Sequence, residues 1–152
     1  MTDGISLRRA QTSDASLIAE FNQAMALETE GKTLNPAVVQ AGVLAVLNEP
    51  RRGFYLLAER AGTVVAGLMV TYEWSDWRNA DFWWIQSVYV LPAARRQGAF
   101  AALYREIERQ ARTAGACGLR LYVENDNQTA ISTYSRLGML DAHYRVMEQS
   151  FR

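Results

Sequence analysis

The stretch that most constrains this chain is FWWIQSVYVLPAARRQGAFAALYREIERQART, residues 82–113. Its first nine residues are rich in aromatic and β-branched side chains and read as a strand. Pro92 has no N–H for a ladder and holds Leu91 extended, so the chain must leave the sheet near Val90. From about Arg95 to Gly98 a helix begins, whose apolar face carries Phe100, Leu103, Tyr104, Ile107, Ala111 and Ala114 at the helical period. A helix start leaves backbone N–H groups without partners at the positive end of its dipole, a natural seat for a phosphate. Gly98 would let a bulky anion approach the backbone, and Arg95 and Arg96 add charge-assisted donors. In the plainer reading Gly98 only permits close packing, which leaves two cations unbalanced at the dipole's positive end.

The rest of the chain supplies a frame for this turn. ISLRRA alternates as a first strand, and Thr12, Ser13 and Asp14 offer caps for a helix carrying Leu17, Ile18, Phe21 and Met25. A second helix follows Pro36. GFYLLAER and TVVAGLMVTYEW form a hairpin across Ala61–Gly62, and SDWRNAD leads into the strand before Pro92. After the long helix come a strand LRLYVE, a short helix NQTAISTYSRLG and a last strand HYRVMEQSF. The expected order is β-α-α-β-β-β-α-β-α-β. That is a single α/β (α+β) domain over residues 1–152, with a mixed, mostly antiparallel sheet flanked by helices.

Composition narrows the function classes. Sixteen basic residues balance sixteen acidic ones, so neither nucleic acid nor a membrane surface is an expected partner. The start MTDGISLRRAQ lacks an apolar leader core and the one cysteine, Cys117, allows no intramolecular disulfide, so a cytoplasmic location is expected. Cys117, at a helix end, reads as packing rather than as a nucleophile. With His143 the only histidine, no metal site is expected.

Two elements together resemble the GNAT superfamily of acyl-CoA-dependent N-acyltransferases. VYVLPAARRQGAF matches a strand followed by [Q/R]-x-x-G-x-[G/A], with Arg95 and Gly98 in place and Phe100 where a small residue is usual. Downstream, ENDNQTAISTYSRLGM matches N-x-x-A-x-x-x-Y-x-x-x-G through Asn127, Ala130, Tyr134 and Gly138. The resemblance implies a sheet splayed between its fourth and fifth strands. Acetyl-CoA would lie there as cosubstrate, its pantetheine arm pairing with Val88, Tyr89 and Val90. It also implies that the pyrophosphate rests on backbone amides from Arg96 through Gln97, Gly98 and Ala99 to Phe100, with Asn127 capping its helix and touching the cofactor arm.

The implied reaction is direct attack of a primary amine, of a small molecule or peptide, on the thioester within a ternary complex. A backbone N–H near Val90 would stabilise the oxyanion, and Tyr134 would return a proton to the departing thiolate. For the base, Glu28 and Glu73 neighbour segments that overhang the acceptor site in this fold; Glu30 is a further candidate. Trp74, Trp77 and Trp84 are expected either to form a cation–π pocket or to join the core. A homodimer is among the expected partners. The alternative to an enzyme is an acyl-CoA-binding sensor without turnover.

Overall fold

A computed structural model describes residues 4–152. Met1 to Asp3, the beginning of the stretch read for a leader, lie outside the described residues. Five strands form one sheet in the order β1-β2-β3-β4-β5. They are β1 (Ile5–Arg9), β2 (Phe54–Arg60), β3 (Thr63–Ser75), β4 (Ala80–Val90) and β5 (Gly118–Leu121). The first four pair antiparallel, and β5 alone runs parallel to its neighbour β4. The helices are α1 (Ala15–Glu30), α2 (Pro36–Asn48), α3 (Ala99–Thr113) and α4 (Gln128–Leu137). The chain groups into two compact units, the first ending at Tyr122 and the second running Val123–Arg152.

In the first unit, strand parity sorts the side chains onto two faces. Tyr55, Leu57 and Met69 point to the face covered by α1 and α2, where Ala15, Ile18 and Val43 complete a core cluster. Leu56, Leu68, Val70 and Ile85 point to the opposite face, where Leu103 and Ile107 of α3 are also fully buried. Asn35 caps α2, its side chain accepting from Val38 N–H, and Pro36 occupies the first helical position. Gly31 ends α1 in the left-handed conformation at φ 64°.

β4 carries a bulge that matters for everything below. Gln86 stands opposite Met69, but Tyr89 stands opposite Gly67, so β4 holds one residue more than β3 across that interval. Ser87 absorbs the irregularity at φ 52°. The extra residue resets the alternation. Gln86 and Tyr89, three apart in sequence, both face α1 and α2.

In the second unit, Asn127 caps α4 by accepting from Ala130 N–H at 3.1 Å, as expected, and Gly138 closes the helix at φ 110°. The expected last strand does not form: among the described residues no strand follows Leu121. Tyr144, Val146, Met147 and Phe151 are instead exposed. Alternation supplies strand propensity, whereas a strand exists only when a partner completes its ladder. β5 is likewise shorter than LRLYVE, stopping at Leu121.

Candidate functional site

β4 outruns β5. Their parallel ladder spans only Phe82–Ile85 against Gly118–Leu121, and β4 continues five residues further to Val90. Within the first unit, this segment has β3 on one side and no strand on the other. The sheet therefore opens between its fourth and fifth strands, where the resemblance implied a splay.

Backbone alternation decides which groups face that open edge. Leu91 N–H donates to Val65 carbonyl at 2.8 Å. In an antiparallel pair the next residue turns both backbone groups the other way, so Val90 presents its N–H and carbonyl to the open side. Val88 does the same by parity, while the backbone of Tyr89 turns towards β3. The Val90 carbonyl is taken by Arg95 Nε at 2.9 Å. Its N–H is the group that remains for a ligand strand.

Beyond Val90 a 3-10 turn, Pro92–Ala94, leads into the loop that starts α3. Arg96 is left-handed at φ 63°, and Gly98, the residue before the helix, at φ 86°. A left-handed residue directly beside a right-handed one, as Gly98 is beside the first residue of α3, turns successive N–H groups to one side, the geometry of an anion nest. The loop is braced from two sides: Gln97 Nε2 donates to the Ala93 carbonyl at 3.0 Å, and Arg60 of β2 donates to Gln97 Oε1. Arg96 itself is exposed. α3 starts at Ala99, slightly later than expected. Ala99 and not Phe100 takes the core position, being 2 % exposed. Phe100 is half-buried, its ring 6.2 Å from that of Tyr104, and Ala114 is exposed rather than on the buried face.

Arg95 turns back from the loop towards α1. Its Nη2 donates to Glu28 Oε1 at 2.7 Å, and the buried Tyr89 donates its hydroxyl to Glu28 Oε2 at 2.6 Å. The Tyr89 ring packs 5.2 Å from Phe21. Glu28 thus clamps the end of α1 onto the end of β4. The Tyr89 hydroxyl first, and Arg95 second, hold its carboxyl below the usual carboxylate range.

Glu73 has a parallel fate. Trp84 Nε1 and Arg120 Nη1 both donate to its Oε1 at 2.9 Å, and these contacts, the Trp84 bond foremost, lower its pKa. Of the acidic residues singled out in the sequence, only Glu30 lines the cleft between α1, α2 and the sheet. The three tryptophans do not converge. Register puts Trp84 opposite Thr71, and Trp74 opposite Asp81 on the other face of the sheet, while Trp77 lies in the hairpin connection. Alternation along β3 and β4 separates them.

Tyr134 lies on α4 in the second unit, where it is half-buried rather than core, and burial pushes its phenol above the ordinary tyrosine value. Cys117 donates its N–H to the Asp81 carbonyl at 2.9 Å, joining the loop before β5 to β4. Sequence reasoning missed Ser87 and Arg60, and with them the bracing role of the Gln97 side chain and the bond of the Tyr89 hydroxyl to Glu28. For Ser87 the one sequence signal was the polar pair Gln86–Ser87 inside an otherwise apolar strand.

The family model described as Acetyltransferase (GNAT) family matches residues 18–139. The solved structure of a possible acetyltransferase from Clostridium difficile 630 is 43% identical and superposes with a TM-score of 0.90, covering 97% of this chain and 98% of that one. An integron cassette protein from the mobile metagenome of Cole Harbour Salt Marsh has a TM-score of 0.85 at 19% identity, covering 96% of this chain and 90% of that one. A transcriptional regulator from Bacillus halodurans C-125 has a TM-score of 0.82 at 17% identity, covering 96% and 99%. These last two share the fold. No curated protein matches the chain.

Proposed function

The chain belongs to the acetyltransferase (GNAT) family, and on that premise we propose that it transfers an acetyl group from acetyl-CoA to the primary amine of a small molecule or peptide, by direct attack in a ternary complex. The observation that carries this is the open edge of β4, which leads through the Pro92–Ala94 turn into the braced loop at the start of α3. Acetyl-CoA supplies the activated acetyl group as a thioester. The residues present fit its two ends. Val88 offers outward backbone groups for the amide-bearing arm, and the N–H groups from Arg96 to Phe100 suit the pyrophosphate, with Arg96 as the charged neighbour.

Each of the chain's own groups then has a task. The Val90 N–H, turned away from β3, is the donor placed for a developing oxyanion. Arg95 holds the Val90 carbonyl, fixing the orientation of that peptide, and is itself held by Glu28. Tyr134 is assigned the acid role on its motif position. A phenol pushed upwards by burial stays protonated at neutral pH and can give its proton to a thiolate. Glu28 and Glu73, both bonded to cationic or N–H and O–H donors, suit positioning better than proton abstraction, so the amine's proton leaves through water.

That same engagement of both carboxylates favours a second reading, an acyl-CoA sensor without turnover. Free thiol release from acetyl-CoA across an amine panel separates them. Acceleration by at least one primary amine is expected. Bound acetyl-CoA with no amine-dependent release would establish the sensor instead.

A further inference from the structure

Between α1, α2 and the sheet, over Tyr55 of β2, Met69 of β3 and Ser87 of β4, lies a cleft of about 470 Å³, within the range that encloses small ligands. Met25, Val39, Val43, Val46 and Met69 give it apolar walls. It reaches β4 at Ser87, the residue that carries the bulge. Tyr55 provides a polar point inside it, with its phenol pushed up by burial while it bonds to Asn22. Among the described residues lining the cleft there is no lysine, arginine or histidine, and the one carboxylate is Glu30.

Gly42 is the second observation. It lies within α2, where glycine is a poor helix former, and a Cβ built on it meets nothing within 4 Å. Neither packing nor backbone conformation requires glycine there. What the missing side chain leaves is open space on the wall of the cleft.

From these features we infer that the cleft seats the body of the acceptor, and that the acceptor is a hydrophobic primary amine, an alkyl- or arylalkylamine without a carboxylate. This rests on the acetyltransferase function proposed above. Apolar walls reward each buried methylene. The one lining carboxylate, Glu30, is paired with Lys32 at 3.7 Å, so the cleft presents no uncompensated charge that would favour a polycation. The absence of a cationic lining residue leaves an acceptor's carboxylate or phosphate without a partner. The bulge at Ser87 brings the cleft to the same strand whose outer edge suits the acyl donor.

The test pairs turnover with direct binding. With acetyl-CoA, kcat/KM should rise about four-fold per methylene from ethylamine to hexylamine, with phenethylamine near the top and spermidine near the bottom. Calorimetry should show hexylamine binding the protein alone. Gly42→Leu puts a side chain into the open space, where its Cβ meets no neighbour; it should flatten the series and remove hexylamine binding. Thr29→Tyr, on the α1 wall, should do the same, so that the result does not hang on one variant's folding. A flat series in which spermidine is acetylated as well as hexylamine would overturn the inference while leaving acetyl transfer intact. Hexylamine binding that both variants abolish, without turnover of any amine, would keep the cleft as a hydrophobic-amine site and overturn the transferase function. Absence of both binding and chain-length dependence would overturn the inference itself.

Discussion

Replacing Gly98 with alanine probes the proposed pyrophosphate cradle through its backbone. Gly98 sits at φ 86°, ψ 5°, immediately before α3. A side chain in that left-handed region costs about 1–2 kcal/mol, and Arg96 at φ 63° carries such a cost already. In a protein of this size each kcal/mol lowers Tm by roughly 2–4 °C, so Gly98→Ala should melt about 2–8 °C lower. Binding should suffer more than stability. The strain is relieved by rotating the peptide units on either side of residue 98, which carry the N–H groups of Gly98 and Ala99. Each hydrogen bond to a charged group is worth about 1.5–3 kcal/mol, so losing one of these donors to a phosphate weakens CoA by about ten- to a hundred-fold. Calorimetric titration with CoA, beside scanning calorimetry on the same preparation, reads both effects. A lowered Tm with unchanged CoA affinity would refute the cradle: the strain would be real and the anion elsewhere.

Three further outcomes are expected. Glu28→Gln and Glu73→Gln should each lower kcat less than about ten-fold, because a general base contributes about 10²–10⁴; a loss above a hundred-fold in either would make that residue the base. Tyr134→Phe should lower kcat by about 10² or more with little change in the KM for acetyl-CoA. In the wild type the alkaline fall in kcat should lie above a tyrosine's usual pKa of about 10, since burial raises this one; an equal loss of cofactor binding in the variant would leave Tyr134 a structural role. Asp14, 9 % exposed, accepts from both terminal nitrogens of Arg8 at 2.8 Å and from the Gln11 N–H at 2.7 Å. The Arg8 bond, most of all, depresses its pKa. A depressed carboxylate stabilises the fold above its unfolded value of about 3.9, and that contribution disappears as pH falls through the folded value. Asp14→Asn should therefore cost about 1–3 kcal/mol at neutral pH and show a shallower acid limb in urea titrations between pH 6 and pH 3.

Much of this site was legible before any coordinates. The proline after β4, the glycine before α3 and the helical period of residues 99–111 are local facts, and local sterics act the same way in any tertiary context. The same holds for Asn127, whose side chain meets its own helix three residues on. Phe100 shows the limit. Helical period alone admits either Ala99 or Phe100 to the buried face, and only the packed structure shows that Ala99 is the one buried. The sequence pointed to Tyr89 only through its backbone; the place of its side chain was hidden, because a bulge of one residue reverses the facing of everything after it.

The sequence by itself determined the order of elements through α4, the splay-prone strand ending at Pro92 and the residue types at the start of α3. Tertiary structure decided which carboxylates were already engaged, which face each tryptophan took, and that HYRVMEQSF would not be a strand. The physical reason is common to all three. A capping residue or a proline acts on backbone within a few positions of itself, whereas an ion pair such as Glu28–Arg95, or a ladder, exists only when distant segments meet.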